Sequence, residues 1–275
     1  MAASSIPSKR DDSNGAAPLI WPPLKIGQRG AAGQAPENTL ASFDLALREG
    51  AEGIAFDVQL SSDGVPVVIG DTRLGRTTSG RGRVQENQAH TLIQLDAGSW
   101  FNQRFPSRAK RQYVREPVPL LFEVLHWVRD QKCMALVAIN NPAPGTEVKV
   151  LEEIDRARVG HLTRVIAYSL PGLRLMRRLD AKVHLGLRFG TRAPAIPQAK
   201  ALGAEVLLPH WRAVSPSFIC RAHRASMLVI PWTVDSLSQM RRTILKGVDG
   251  IITNYPAKLT EAVARLRKTG RVGAP

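Results

Sequence analysis

Cysteine is nearly absent from this chain, with two in 275 residues. Cys133 and Cys220 lie far apart in apolar stretches, so buried free thiols are expected rather than a disulfide. No apolar run approaches the roughly 18 residues that a membrane-spanning helix needs. The stretch Met1 to Pro23 is polar and carries Asp11-Asp12 where a cleaved leader would be apolar. A disordered tail over 1–23, a shorter tail over 269–275 and a cytoplasmic protein are the expectations. No two of the six histidines are spaced for a metal site. Acidic residues are outnumbered, 23 against 38 Lys and Arg, for a net charge of +15. That balance favours polyanionic partners. The basic residues are nonetheless spread along the chain. The clusters Arg104-Arg108-Lys110-Arg111 and Arg241-Arg242 are short, and no aromatic ladder accompanies them. Weak anionic surface binding is expected, without specific nucleic-acid recognition.

What is present is a soluble, globular composition, 44% hydrophobic and 22% charged. Leu24–Gln28 and Gly53–Leu60 read as strands. Between them Asn38 or Thr39 can cap a helix whose apolar positions Leu40, Phe43 and Leu47 follow helical spacing, with Gly50 ending it. Asp63-Gly64 marks a hairpin into a strand over Val65–Ile69. From Gly70 to about Pro117 periodicity fades, and a stretch that long predicts an insertion over one face of the domain. Beyond it, strands at 134–139, 164–168, 183–187, 205–208, 227–232 and 250–253 alternate with helical patterns. Eight such runs over one domain point to a closed parallel (β/α)8 TIM barrel over 24–268, interrupted after its second strand by an insertion of about 61–118. In such a barrel the loops after the strands build the site. Gln28-Arg29, Asp57, Asn140, Ser169, Arg188, His210, Trp232 and Asn254 fall there.

The motifs at these positions are specific. They are Arg29-Gly30-Ala31 with Pro36-Glu37-Asn38-Thr39, then Asp57-Val58-Gln59-Leu60 with Asp63-Gly64-Val65-Pro66-Val67-Val68. Arg76-Thr77-Thr78, Ala97-Gly98-Ser99-Trp100-Phe101, Trp232-Thr233-Val234 and Gly247 to Pro256 follow. By these pieces the chain resembles the glycerophosphodiester phosphodiesterase family over about residues 24–265. The resemblance implies a (β/α)8 barrel, hydrolysis of glycerophosphodiesters to glycerol 3-phosphate and an alcohol in lipid metabolism, and a Ca²⁺ or Mg²⁺ cofactor. It also implies where the chemistry should stand. The family's two histidines correspond to Gln28 and Gly70. Its metal carboxylates correspond to Ala55, Asp57 and Ala138, and a lysine to Asn140.

Both proton-transfer positions and two of the three carboxylates are therefore missing. Glutamine does not titrate near neutral pH, and glycine has no side chain. A hard cation wants about six oxygen ligands, several of them anionic. Asp57 alone predicts a weak or absent metal. The leading expectation is a catalytically degenerate barrel, not an active enzyme, binding a small phosphorylated or glycerophosphodiester-like ligand through Arg29, Glu37, Asn140 and Trp232. Against it stands pairing of Arg29 with Asp57 or Glu37 in an idle pocket. The second reading is an active hydrolase rebuilt from Glu37, Asp57, Asp71 or His210. The third is an interaction protein using its basic surface. Trp232 and Phe101 either wall the mouth or pack as core beneath the insertion.

Overall fold

A computed structural model describes residues 21–139, 143–192 and 196–268. The expected tails lie almost wholly outside the described residues. Strand β1 (Leu24–Gln28) leads through helix α1 (Leu40–Arg48) to β2 (Gly53–Leu60), which turns back antiparallel as β3 (Pro66–Val68). A stretch with two short helices, α2 (Ala89–Leu92) and α3 (Ser99–Arg104), precedes α4 (Leu121–Gln131) and β4 (Met134–Ile139). Then come α5 (Thr146–Ala157), β5 (Thr163–Ala167), α6 (Leu170–Leu179), β6 (Leu185–Phe189), α7 (Ile196–Ala201) and β7 (Ala204–Pro209). The chain finishes with α8 (Pro216–Arg224), β8 (Leu228–Val229), α9 (Leu237–Ile244), β9 (Gly250–Thr253) and α10 (Pro256–Lys268).

The sheet order is β8-β7-β6-β5-β4-β2-β1-β9, parallel along that whole path. Asp249 N donates to Val229 O and Ile252 N to Pro231 O, which joins the two ends of the path. The expected (β/α)8 barrel is thus present. Its lumen is filled by Leu24, Ile26, Ala55, Leu136, Ile166, Val206 and their neighbours. A larger apolar layer fills the space between strands and helices. The stretch after β3 carries two small cores of its own, one around Leu74, Val84 and Leu92, the other around Phe101 and Tyr113.

Local chemistry explains the elements nearest the mouth. Thr39 caps α1, its hydroxyl accepting from Ser42 N, and Gly50 at φ +90° leaves the helix. Gly64, at φ +77°, makes the hairpin turn. Several boundaries differ from expectation. β6 sits two residues later than read, because Arg188 is a lumen residue of the strand rather than the start of a loop. Only Leu228–Val229 of the 227–232 run pairs as a strand, since Pro231 has no N–H to give the ladder. Cys133 is buried but Cys220 is exposed, on the side of α8 opposite Phe218, Ile219 and Ala222. Burial pushes the Cys133 thiol up to about 12. No helix among the described residues is long and apolar enough to cross a membrane.

Candidate active site at the barrel mouth

Arg29 and Gly30 end β1 in the left-handed region, at φ +51° and +82°. A Cβ on Gly30 would lie 2.4 Å from Ser42 Oγ and 2.6 Å from the Ser42 carbonyl oxygen, so the tight turn against α1 requires glycine. The turn is held by Arg29 N donating to Ala55 O at 2.6 Å, Asn38 N donating to Arg29 O at 3.1 Å and Ser42 Oγ donating to Arg29 O at 3.0 Å. It sends the Arg29 side chain over the end of β2.

There Arg29 joins a chain of alternating charges. Its Nε stands 2.6 Å from Asp57 Oδ2, a charge contact in which the N–H is not aligned as a hydrogen bond. Its Nη1 donates to Glu37 Oε1 at 2.5 Å. Glu37 in turn accepts both terminal nitrogens of Arg76, at 2.6 and 2.9 Å, and Arg76 closes on Asp71 through Nε and Nη2. Burial opposes the charged Arg29, but Asp57 and Glu37 outweigh it and raise its pKa. Hydrogen bonds to Glu37 and Asp71 raise that of Arg76, and the bond from Arg76 lowers that of Asp71. Asp57 is 1% exposed and exchanges two 3.3 Å hydrogen bonds with Asn38. Arg29 therefore meets both carboxylates that the sequence offered as alternatives.

Gly70 stands beside this group. A Cβ built on it would fall 2.9 Å from Arg29 Cζ and 3.1 Å from Asp57 Oδ2. The guanidinium thus occupies the space a side chain at 70 would need. Gln28 is 7% exposed, with its Oε1 buried and lacking a hydrogen-bond partner. Ala55 and Ala138 are buried in the lumen, in register with Gln28 and Asp57 on the neighbouring strands.

Across the mouth, Arg188 lies 3.8 Å above the Trp232 ring and 5.3 Å from that of Tyr168. Burial lowers its pKa, opposed by Tyr168 and Asp57. Trp232 is a fixed platform, its Nε1 donating to Leu208 O at 2.9 Å. Partly buried, it packs on the lumen core beneath Arg188, whereas Phe101 is fully buried among Ala35 and Tyr113. His210 meets the Trp232 edge at 5.5 Å, and its Nδ1 accepts from Arg212 N at 3.3 Å. Burial, then Arg212, lowers its pKa. Ser169 is an exposed N-cap of α6, and Asn254 is anchored by Nδ2 donating to Asp235 Oδ2 at 2.8 Å. Asn140 lies outside the described residues. The reading of the sequence missed Tyr168, the stacking of Arg188 and the pairing of Arg76 with Glu37. The first was hidden by a one-residue shift, the others because their partners are far along the chain.

The donor set does not fit a tightly held divalent cation. Of the three aligned carboxylate positions only Asp57 has oxygens, and its Oδ2 faces Arg29. Among the described residues no three His, Cys, Asp or Glu groups converge as metal ligands. Arg29 and Arg188 bring positive charge to the mouth, and Asp57 and Glu37 set negative charge against Arg29.

These features define a class, a (β/α)8 barrel whose mouth carries a chain of ion pairs from Asp57 to Asp71. A profile described as the glycerophosphoryl diester phosphodiesterase family matches residues 29–258, and the chain belongs to that family. It is 32% identical to a glycerophosphodiester phosphodiesterase of Caldanaerobacter subterraneus, over 88% of this chain and 98% of that one. It is 31% identical to one of Bacillus subtilis, over 85% and 84% respectively. A phosphodiesterase of Oleispira antarctica, solved with the product sn-glycerol-3-phosphate, superposes with a TM-score of 0.78 at 27% identity, covering 88% of this chain and 97% of that one.

Proposed function

We propose that this barrel, acting as a unit over 24–268 with its insertion at about 61–118, binds a small phosphorylated ligand of the glycerophosphodiester kind without metal-dependent hydrolysis. The observation that carries the reading is the Arg29 guanidinium, seated against Asp57 in the space beside Gly70. The guanidinium already pairs with Asp57 and Glu37, so a phosphate oxyanion binds it by sharing or displacing those contacts. Arg188 on its Trp232 platform supplies a second positive charge, and Gln28 Oε1 is an acceptor ready for a glycerol hydroxyl. The relative bound to sn-glycerol-3-phosphate supports that ligand class. Hydrolysis is another matter. Each positioned acid or base is worth about 10²–10⁴ in rate, and positions 28 and 70 supply neither. Glu37 and Asp71 are each committed to Arg76. The cytoplasm and the turnover of lipid-derived diesters are the setting that suits such a ligand.

The test is a phosphodiesterase assay on glycerophosphocholine with Ca²⁺, Mg²⁺ or chelator, reading glycerol 3-phosphate. A variant carrying Gln28→His, Ala55→Glu, Gly70→His and Ala138→Glu runs alongside. The natural chain is expected to be silent, to bind glycerol 3-phosphate, and to lose that binding in Arg29→Met. The variant is expected to gain metal-dependent turnover. Turnover by the natural chain that Glu37→Ala or Asp57→Ala abolishes would refute the reading in favour of a rebuilt hydrolase, the activity for which the relatives are named.

A further inference from the structure

A groove of about 740 Å³ opens beside the mouth, between the stretch that follows β3 and the end of β9. It is of the size that small-molecule sites have. Glu37, Arg76 and Asn254 line it, and the first two also belong to the charge chain over Asp57, so groove and mouth are continuous. Its outer wall carries Arg104 and Arg108. Glu37, the carboxylate among the lining residues, is already doubly bonded to Arg76 and contacts Arg29. Among the described residues neither Arg104 nor Arg108 has a carboxylate within ion-pair distance.

The wall is preorganised. Arg108 Nη1 donates to Gly33 O at 2.6 Å, and its guanidinium stands 5.5 Å from the Phe105 ring and 5.9 Å from that of Tyr255. Trp100 is pinned by its Nε1 on Ala97 O at 2.8 Å and by an edge contact with Phe101 at 5.8 Å. Lys258 Nζ lies 3.8 Å from the Tyr255 ring and adds positive charge at the same end. Rigid aromatic faces and uncompensated guanidinium groups discriminate by charge, because a zwitterionic or cationic group would bring its positive end against Arg104 and Arg108.

We infer that this groove takes the second alcohol of a soluble glycerophosphodiester, and that it selects alcohols bearing a further anionic group, a phosphate or carboxylate. The inference rests on the reading of the mouth as the glycerol phosphate site. It names which diesters that site admits.

The full chain is titrated calorimetrically, at one fixed ionic strength, with sn-glycerol 3-phosphate, glycerophosphoinositol and glycerophosphoinositol 4-phosphate. Two partly exposed charge contacts at about 3-fold each predict that the last binds about 10-fold tighter than the second. Arg104→Gln with Arg108→Gln is expected to bring the two diesters within about 2-fold. Because Arg108 also holds the Gly33 carbonyl, Arg104→Gln alone is the second variant, and it is expected to reduce the preference about 3-fold. Equal affinities for the two diesters, or a preference that survives these substitutions in folded protein, overturns the inference. Failure of glycerol 3-phosphate to bind at all instead overturns the reading of the mouth, and the groove's assignment falls with it.

Discussion

Arg29 and Asp57 form the contact on which the mouth turns, and a double-mutant cycle measures it. The Asp57 side chain is 2% exposed and that of Arg29 25% exposed, with Nε to Oδ2 at 2.6 Å. Removing one partner of a fully buried pair costs about 3–5 kcal/mol, whereas an exposed pair is worth about 0.2–1 kcal/mol. This pair lies between those limits. Its N–H is out of line with the acceptor, and Asn38 also supports the carboxylate. Arg29→Met should therefore cost about 2–3 kcal/mol, because it leaves a buried carboxylate without its nearest guanidinium. Asp57→Asn should cost about 1 kcal/mol, since Arg29 keeps Glu37 and some contact with water. Together they should be less than additive, with a coupling of about 1.5 kcal/mol. Urea denaturation followed by fluorescence of the five tryptophans reads all four corners of the cycle. A coupling below about 0.5 kcal/mol would refute a charge contact that holds the mouth.

The other predictions concern its neighbours. Gly70→His alone is expected to lower the melting temperature and abolish glycerol 3-phosphate binding, because its Cβ displaces the Arg29 guanidinium; unchanged melting and calorimetry would show that Arg29 moves aside freely. Asp71, whose pKa is lowered chiefly by its bond from Arg76, stabilises the fold fully above its unfolded value near about 4, and that stability is lost as pH falls through the lowered folded value. Melting curves of Asp71→Asn and the natural chain should thus differ most at neutral pH and converge as pH falls through the lowered folded value; a gap that persists in strong acid would refute the pairing. Gly98→Ala places a Cβ 1.8 Å from the Tyr113 carbonyl oxygen, a backbone clash expected to cost about 2 kcal/mol or more. Limited proteolysis should then cut within 70–118 while the barrel strands stay protected.

Much of the barrel was legible because its strands are bounded apolar runs. β1, β2, β4 and β9 fall on the expected residues, since each is closed off by glycine, charge or a turn. β6 and β8 were harder. Arg188 is a polar residue pointing into the lumen, where alternation misleads, and Pro231 shortens a run that looked continuous. At the site, the positions of Arg29, Glu37 and Asp57 followed from local motifs. The contacts of Arg76 with Glu37 did not, because the two lie 39 residues apart and meet only when the stretch after β3 folds back over the mouth. The same folding gives Arg104 and Arg108 a shared groove, although in the sequence they look like scattered surface charge.

The seat of Arg29 beside Gly70 also sets an order of events. A histidine introduced at position 70 meets a side chain already in its volume, so that change is penalised until the guanidinium has another resting place. Glutamates at 55 and 138 would offer one, by drawing the arginine toward the lumen, before any proton donor arrives. On the proposed reading, gaining metal-dependent hydrolysis is therefore a staircase with a fixed first step, and selection for that catalysis imposed in the laboratory should find carboxylates before it finds histidines.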